Sequence, residues 1–107
     1  MNTTTDSGKT AAIVAYLTII GTIIAYFIND PKSPFASFHI RQALGIHITF
    51  YILGALVSIF DSWMITWAFW IFIAVLWGYG LVTAIQGEVK EVPLVGPQYQ
   101  KWFSTIN

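Results

Sequence analysis

The chain has 107 residues, 56% of them hydrophobic and only 9% charged, with five Lys and Arg against five Asp and Glu for a formal net charge of zero. Soluble domains carry roughly 25% charged residues, so the composition excludes an ordinary soluble domain, and the zero balance argues against a nucleic-acid binder. The lack of Cys excludes disulfide frameworks, thiolate nucleophiles and Cys-ligated metal sites. Charge is missing in three runs, Thr10 to Asn29, Gln42 to Phe60 and Ser62 to Gly87. Each can cross a bilayer, which takes roughly 20 mostly apolar residues. The expected fold is therefore all-α: one membrane domain, 1–107, built as an integral bundle of three transmembrane helices.

The first span, about 10–28, follows Lys9 and ends at Asn29-Asp30-Pro31, because the residue before a proline avoids helical geometry. Its apolar run is too long for a signal-peptide h-region and reads as a retained span. Gly21, near its middle, leaves open a re-entrant hairpin that would return the N-terminus to its starting side. Ser33 is a good N-cap and Pro34 suits the first helical position, so a second helix is predicted over 34–60. At about 1.5 Å per residue it is longer than the hydrocarbon core, and its first turns, with Ser37, His39, Arg41 and Gln42, belong among the headgroups. Asp61-Ser62 leaves almost no loop before the third span, 63–85, so these two spans form a tight hairpin.

From Gly87 the tail, 87–107, is polar. Pro93, Gly96 and Pro97 break it into turns, and a short interfacial helix, Pro97 to Phe103, sets Tyr99, Trp102 and Phe103 on the membrane surface. Trp63, Tyr99 and Trp102 are expected as interfacial anchors. Trp67, Trp70 and Trp77 continue one stripe with Trp63, facing lipid or a partner. The first loop and the tail hold four of the five basic residues. The positive-inside rule places both in the cytoplasm, with the N-terminus and Asp61 on the far side of the inner membrane.

His47 is the only ionisable group well inside a span. It reads either as a neutral imidazole bonded to a neighbouring hydroxyl such as Thr18, Thr22 or Thr83, or as a protonatable group in a transport pathway. His39 lies about 12 Å away along the same helix, so one chain cannot offer both histidines to one haem or metal. No cofactor is expected. The spans contain neither paired carboxylates nor a nucleophile with a base, so no enzymatic activity is expected. Small residues recur four apart, at Gly21/Ala25, Gly54/Ser58, Ala74/Gly78 and Gly80/Ala84. They predict close helix packing, in a bundle that self-associates or joins a larger membrane complex.

The most distinctive stretch is KSPFASFHIRQALGIHI, Lys32 to Ile48. With Lys32, Ser33, Pro34, Phe35, His39, Arg41, Gln42, Ala43 and Leu44, and downstream Tyr79, Gly80, Ala84, Gly87 and Pro93-Leu94, it resembles small bacterial membrane proteins related to the twenty-kilodalton chloroplast inner-envelope protein-import component. The resemblance implies an α-helical inner-membrane protein linked to protein translocation. On physical grounds the same residues either anchor the helix end at the interface or form a docking site. In the second reading Lys32, Pro34, Phe35, His39, Arg41 and Gln42 take a lipid headgroup or a partner's carboxylate. The expected function is that of a non-enzymatic subunit using this elbow for contact. The alternative is a small oligomeric transporter with His47 in the pathway.

Overall fold

The computed structural model describes residues 3–29 and 32–106, with side chains from Gly8 onwards, so Asp30 and Pro31 of the expected first turn lie outside the described residues. Within them all regular structure is helical: α1 (Thr3–Leu17), α2 (Ile19–Ile28), α3 (Pro34–Val57), α4 (Trp63–Ile85) and α5 (Gly96–Trp102). Two helices, α3 and α4, are long and apolar enough to cross a membrane, where three were expected.

The first apolar run departs from expectation because it is broken at Thr18, whose backbone is extended (φ −154°, ψ 173°) and whose side chain caps α2 by accepting from the Gly21 N–H. The chain reverses there. Gly8, near the start of α1, and Asn29, at the end of α2, both lie against Ser33 at the head of α3. At the other end Leu17 and Thr18 line a cleft with His47, Phe50 and Trp77, well along α3 and α4. This is a closed helical hairpin that turns at Thr18, three residues before the Gly21 where a hairpin was left open. Gly21 is required because a Cβ there would run into the Val14 carbonyl oxygen of the opposing arm. Ala11, Ala12, Ala15 and Ala25 are fully buried, small enough to let the helices meet. The N-terminal end of α1 therefore lies at the same end of the molecule as the first loop, not opposite it.

α3 starts as expected, with Ser33 accepting from the Ala36 N–H and Pro34 in the first turn, but ends at Val57 rather than Phe60. Residues 58–62 then form the turn into α4, capped by Ser62. α4 ends at Ile85 and is closed off at Gly87, where φ is +75° and the Gly87 and Glu88 N–H groups donate to the carbonyls of Ala84 and Thr83. That pair of bonds is a Schellman cap, which satisfies two orphan carbonyls and needs the left-handed conformation that glycine adopts freely.

The molecule is long and narrow, 51 × 23 × 22 Å, and its two ends differ. In the head, α1 and α2 pack on the first half of α3, α1 packs also on the last half of α4, and all of the buried residues of α3 fall between Ala36 and Ile46. Beyond them α3 and α4 continue as a two-helix arm. It is held by rings such as Phe50 on Phe69, stacked with centroids 5.8 Å apart. Ile59 is 75% exposed there and Trp63 81%.

Candidate functional site

The head is organised around a buried hydrogen-bonded cluster. His39 and Gln42 sit three apart on α3, one turn of helix, and so face the same way. Both are fully buried, with Tyr16 of α1 between them. The Tyr16 hydroxyl lies 2.6 Å from His39 Nδ1, and His39 Nε2 lies 2.7 Å from the Glu88 carbonyl oxygen. A carbonyl only accepts, so Nε2 carries the proton and Nδ1 accepts from the tyrosine. The Gln42 amide completes the set: its Nε2 donates to the Tyr16 oxygen and the Lys90 carbonyl, and its Oε1 accepts from the Val92 N–H. No buried side-chain nitrogen or oxygen among the described residues lacks a partner. The rings of Phe35, Phe38 and Tyr16 meet His39 edge-on. Residues 88–92, which have no regular structure, are thus held by two side chains of α3, His39 and Gln42, which Tyr16 of α1 links.

Arg41, pointing out of this cluster, holds the end of the chain. Its Nε donates to Gln100 Oε1 at 2.7 Å and its Nη1 to the Ile106 carbonyl at 2.8 Å, while Gln100 donates to the Phe38 carbonyl. Lys32 is exposed, its ammonium 4.1 Å from the centre of the Tyr26 ring. The elbow that sequence reading treated as one surface therefore divides. His39 and Gln42 face inwards, Arg41 is half-buried on the tail, and Lys32, Pro34, Ser37 and Arg41 line an open cleft. Phe35 is half-buried. Glu88 pairs with the exposed Lys90 at 3.0 Å and holds its ammonium above the ordinary range, first by the hydrogen bond and then by charge.

His47 caps a broken helix. Its Nε2 lies 3.1 Å from the Ala15 carbonyl, so the partner is a backbone oxygen of α1 and not a threonine hydroxyl. The same carbonyl accepts from Thr22 Oγ1, and the next one, Tyr16, accepts from Trp77 Nε1. The last carbonyls of a helix have no intrahelical partners, and side chains of α2, α3 and α4 supply them here. Tyr99, expected at the membrane surface, is instead 3% exposed. Its ring packs on Gly45, and its hydroxyl pairs with Thr49. Trp63 and Trp102 are exposed.

Of the packing residues, Gly80 takes the Tyr16 ring and Gly54 lies near Phe69. Gly78 has no neighbour within 4 Å of where a Cβ would stand, and Ser58 is an exposed residue bonded to the Ala55 carbonyl. Sequence reading missed Tyr16, Asn29, Thr49 and Gln100. Asn29 ties α2 to α3 through Ser37 and the Ser33 N–H. Tyr16, set among Ala, Val, Ile and Leu midway along the first run, was the available signal for the cluster.

The family model described as the magnetosome magnetite crystal formation protein family, MamF/MmsF, matches residues 7–98. No curated protein and no solved structure matches the chain. The family match spans most of the chain, including the Lys32–Ile48 stretch, and overturns the resemblance to chloroplast import components and with it the link to translocation.

Proposed function

The chain belongs to the magnetosome magnetite crystal formation protein family, and from that membership we propose that it is a non-enzymatic, multi-pass protein of the magnetosome membrane with a structural part in crystal formation. The two apolar helices α3 and α4 support a membrane location. In this reading they cross the bilayer while the α1–α2 hairpin does not, so the first loop, the tail and the start of α1 share the cytoplasmic side that the basic residues favour.

The observation that carries a structural role is where the interior polar groups go. His39, Gln42, His47 and Tyr16 are taken up by backbone carbonyls and by one another. What the molecule offers outwards is apolar: Trp63, Trp67, Trp70 and Ile71 along α4, Ile52 and Leu56 along α3, and Ile59 in the turn between them. Such a surface suits a bilayer and close association with copies of itself or with a larger membrane complex. The transport reading is the weaker one, because the His47 proton it would move is engaged by the Ala15 carbonyl.

The test is a tagged chain in cells that form magnetosomes. Expected are co-fractionation with the crystal-bearing membranes, altered crystals on deletion, rescue by both wild type and His47→Phe, and recovery as an oligomer or larger complex by native mass spectrometry from nanodiscs. Absence from those membranes would overturn the assignment. Failure of His47→Phe to rescue, with assembly intact, would return the pathway reading.

A further inference from the structure

The two halves of the molecule take up unequal space across a bilayer. From Ser33 to about His47 the section holds four helices, α1 to α4, with α5 packed alongside; beyond that it holds two. α2 has ten residues, about 15 Å of helix, and the part of α1 that runs beside it from Gly8 is equally long. That is half of the hydrocarbon core of about 30 Å, whereas α3 and α4, with 24 and 23 residues, are each long enough for all of it. The ends are also chemically distinct. Lys32, Arg41, Lys90 and Lys101 are among several charged residues at the head, whereas the 58–62 turn of the arm carries one charged side chain, Asp61.

We propose that the α1–α2 hairpin is a wedge for one leaflet, so that the chain binds preferentially to bilayers curved with the head in the convex leaflet. The inference rests on the membrane location proposed above. Two extra helices, each about 10 Å across, add roughly 150 Å² to one leaflet and nothing to the other. A bilayer relieves that imbalance by bending away from the crowded side, and the bound population follows the difference in free energy between flat and curved membrane.

The hairpin can act in this way because it is finished as a half-depth element. The Ala15 and Tyr16 carbonyls at its apex are capped by Thr22, His47 and Trp77, and the Gly21 N–H by Thr18, which lowers the cost of ending a helix in the middle of a bilayer. Its outer face, with Ile20, Ile23, Ile24 and Phe27, is exposed and apolar. That face displaces lipid tails instead of entering the headgroups.

The experiment uses the full-length chain carrying Lys101→Cys with a fluorescent dye, reconstituted into phosphatidylcholine–phosphatidylglycerol vesicles. Flotation first reports whether the chain enters the membrane; failure to float would overturn the membrane reading itself. In floated samples, dye per unit of lipid is measured vesicle by vesicle across diameters from about 50 to about 400 nm, and accessibility to an impermeant quencher gives orientation. Expected are about a twofold or greater enrichment per area on the smallest vesicles, with the dye outside.

A flat profile, or enrichment with the dye inside, overturns the wedge while leaving the membrane reading intact. Thr18→Ala/Gly21→Ala favours one continuous helix and leaves α5 untouched. Once labelling at Lys9→Cys shows that residue across the bilayer, loss of the size dependence supports the wedge, and retention of it overturns it.

Discussion

At the scale of single residues, the cluster of Tyr16, His39 and Gln42 joins α1, α3 and residues 88–92. Removing the tyrosine hydroxyl leaves His39 Nδ1 without its donor and takes one of two acceptors from the Gln42 amide. Unmet buried groups cost about 1–3 kcal/mol each. Tyr16→Phe should therefore lower the unfolding temperature in detergent well beyond Tyr26→Phe, whose ring is partly exposed. Gly45 is a second sensitive position. Any side chain there meets the Tyr99 ring, so Gly45→Val is expected to detach α5 and speed proteolysis of the tail at unchanged helix content by circular dichroism. Sequence reading found His39, Arg41 and Gln42 but took their polarity for a binding surface. Polarity at a helix end looks the same whether its partners are lipid phosphates or carbonyls 48 and 49 residues away, and only the fold distinguishes them.

At the scale of elements, α3, α4 and α5 were legible within a few residues. Ser33-Pro34, Ser62 and Gly87 are strong local signals, and length with hydropathy separates long membrane helices from other elements. The first run was not legible as a hairpin, because 19 apolar residues satisfy the criterion for a span whether or not the helix is continuous. What breaks it is the Thr18 cap, the glycine fitted against Val14, and donors from α2, α3 and α4 that take up the carbonyls at the end of α1. The chain has no native cysteine, so single cysteines report cleanly. Lys9→Cys and Lys32→Cys should both react with an impermeant maleimide from the same side as Lys101→Cys, and Asp61→Cys from the other. Labelling of Lys9→Cys from the Asp61 side would mean that the first run crosses the bilayer.

At the scale of the whole molecule, the contrast between head and arm sets where the tryptophans lie in a membrane. Trp63 is expected near the interface at the turn of the arm, Trp67 and Trp70 progressively deeper, and Trp102 shallow at the head. Single-tryptophan variants should accordingly be quenched most by lipids brominated deep in the chain for Trp70, and by headgroup-proximal bromines for Trp102. The apex of the hairpin has a consequence in time as well as in space. The carbonyls of Ala15 and Tyr16 receive donors from His47 and Trp77, and Tyr16 reaches the residues that bind segment 88–92. The α1–α2 hairpin therefore borrows two of its apex donors from helices that follow it in the chain, and its closure is expected to wait until α4 has joined α3.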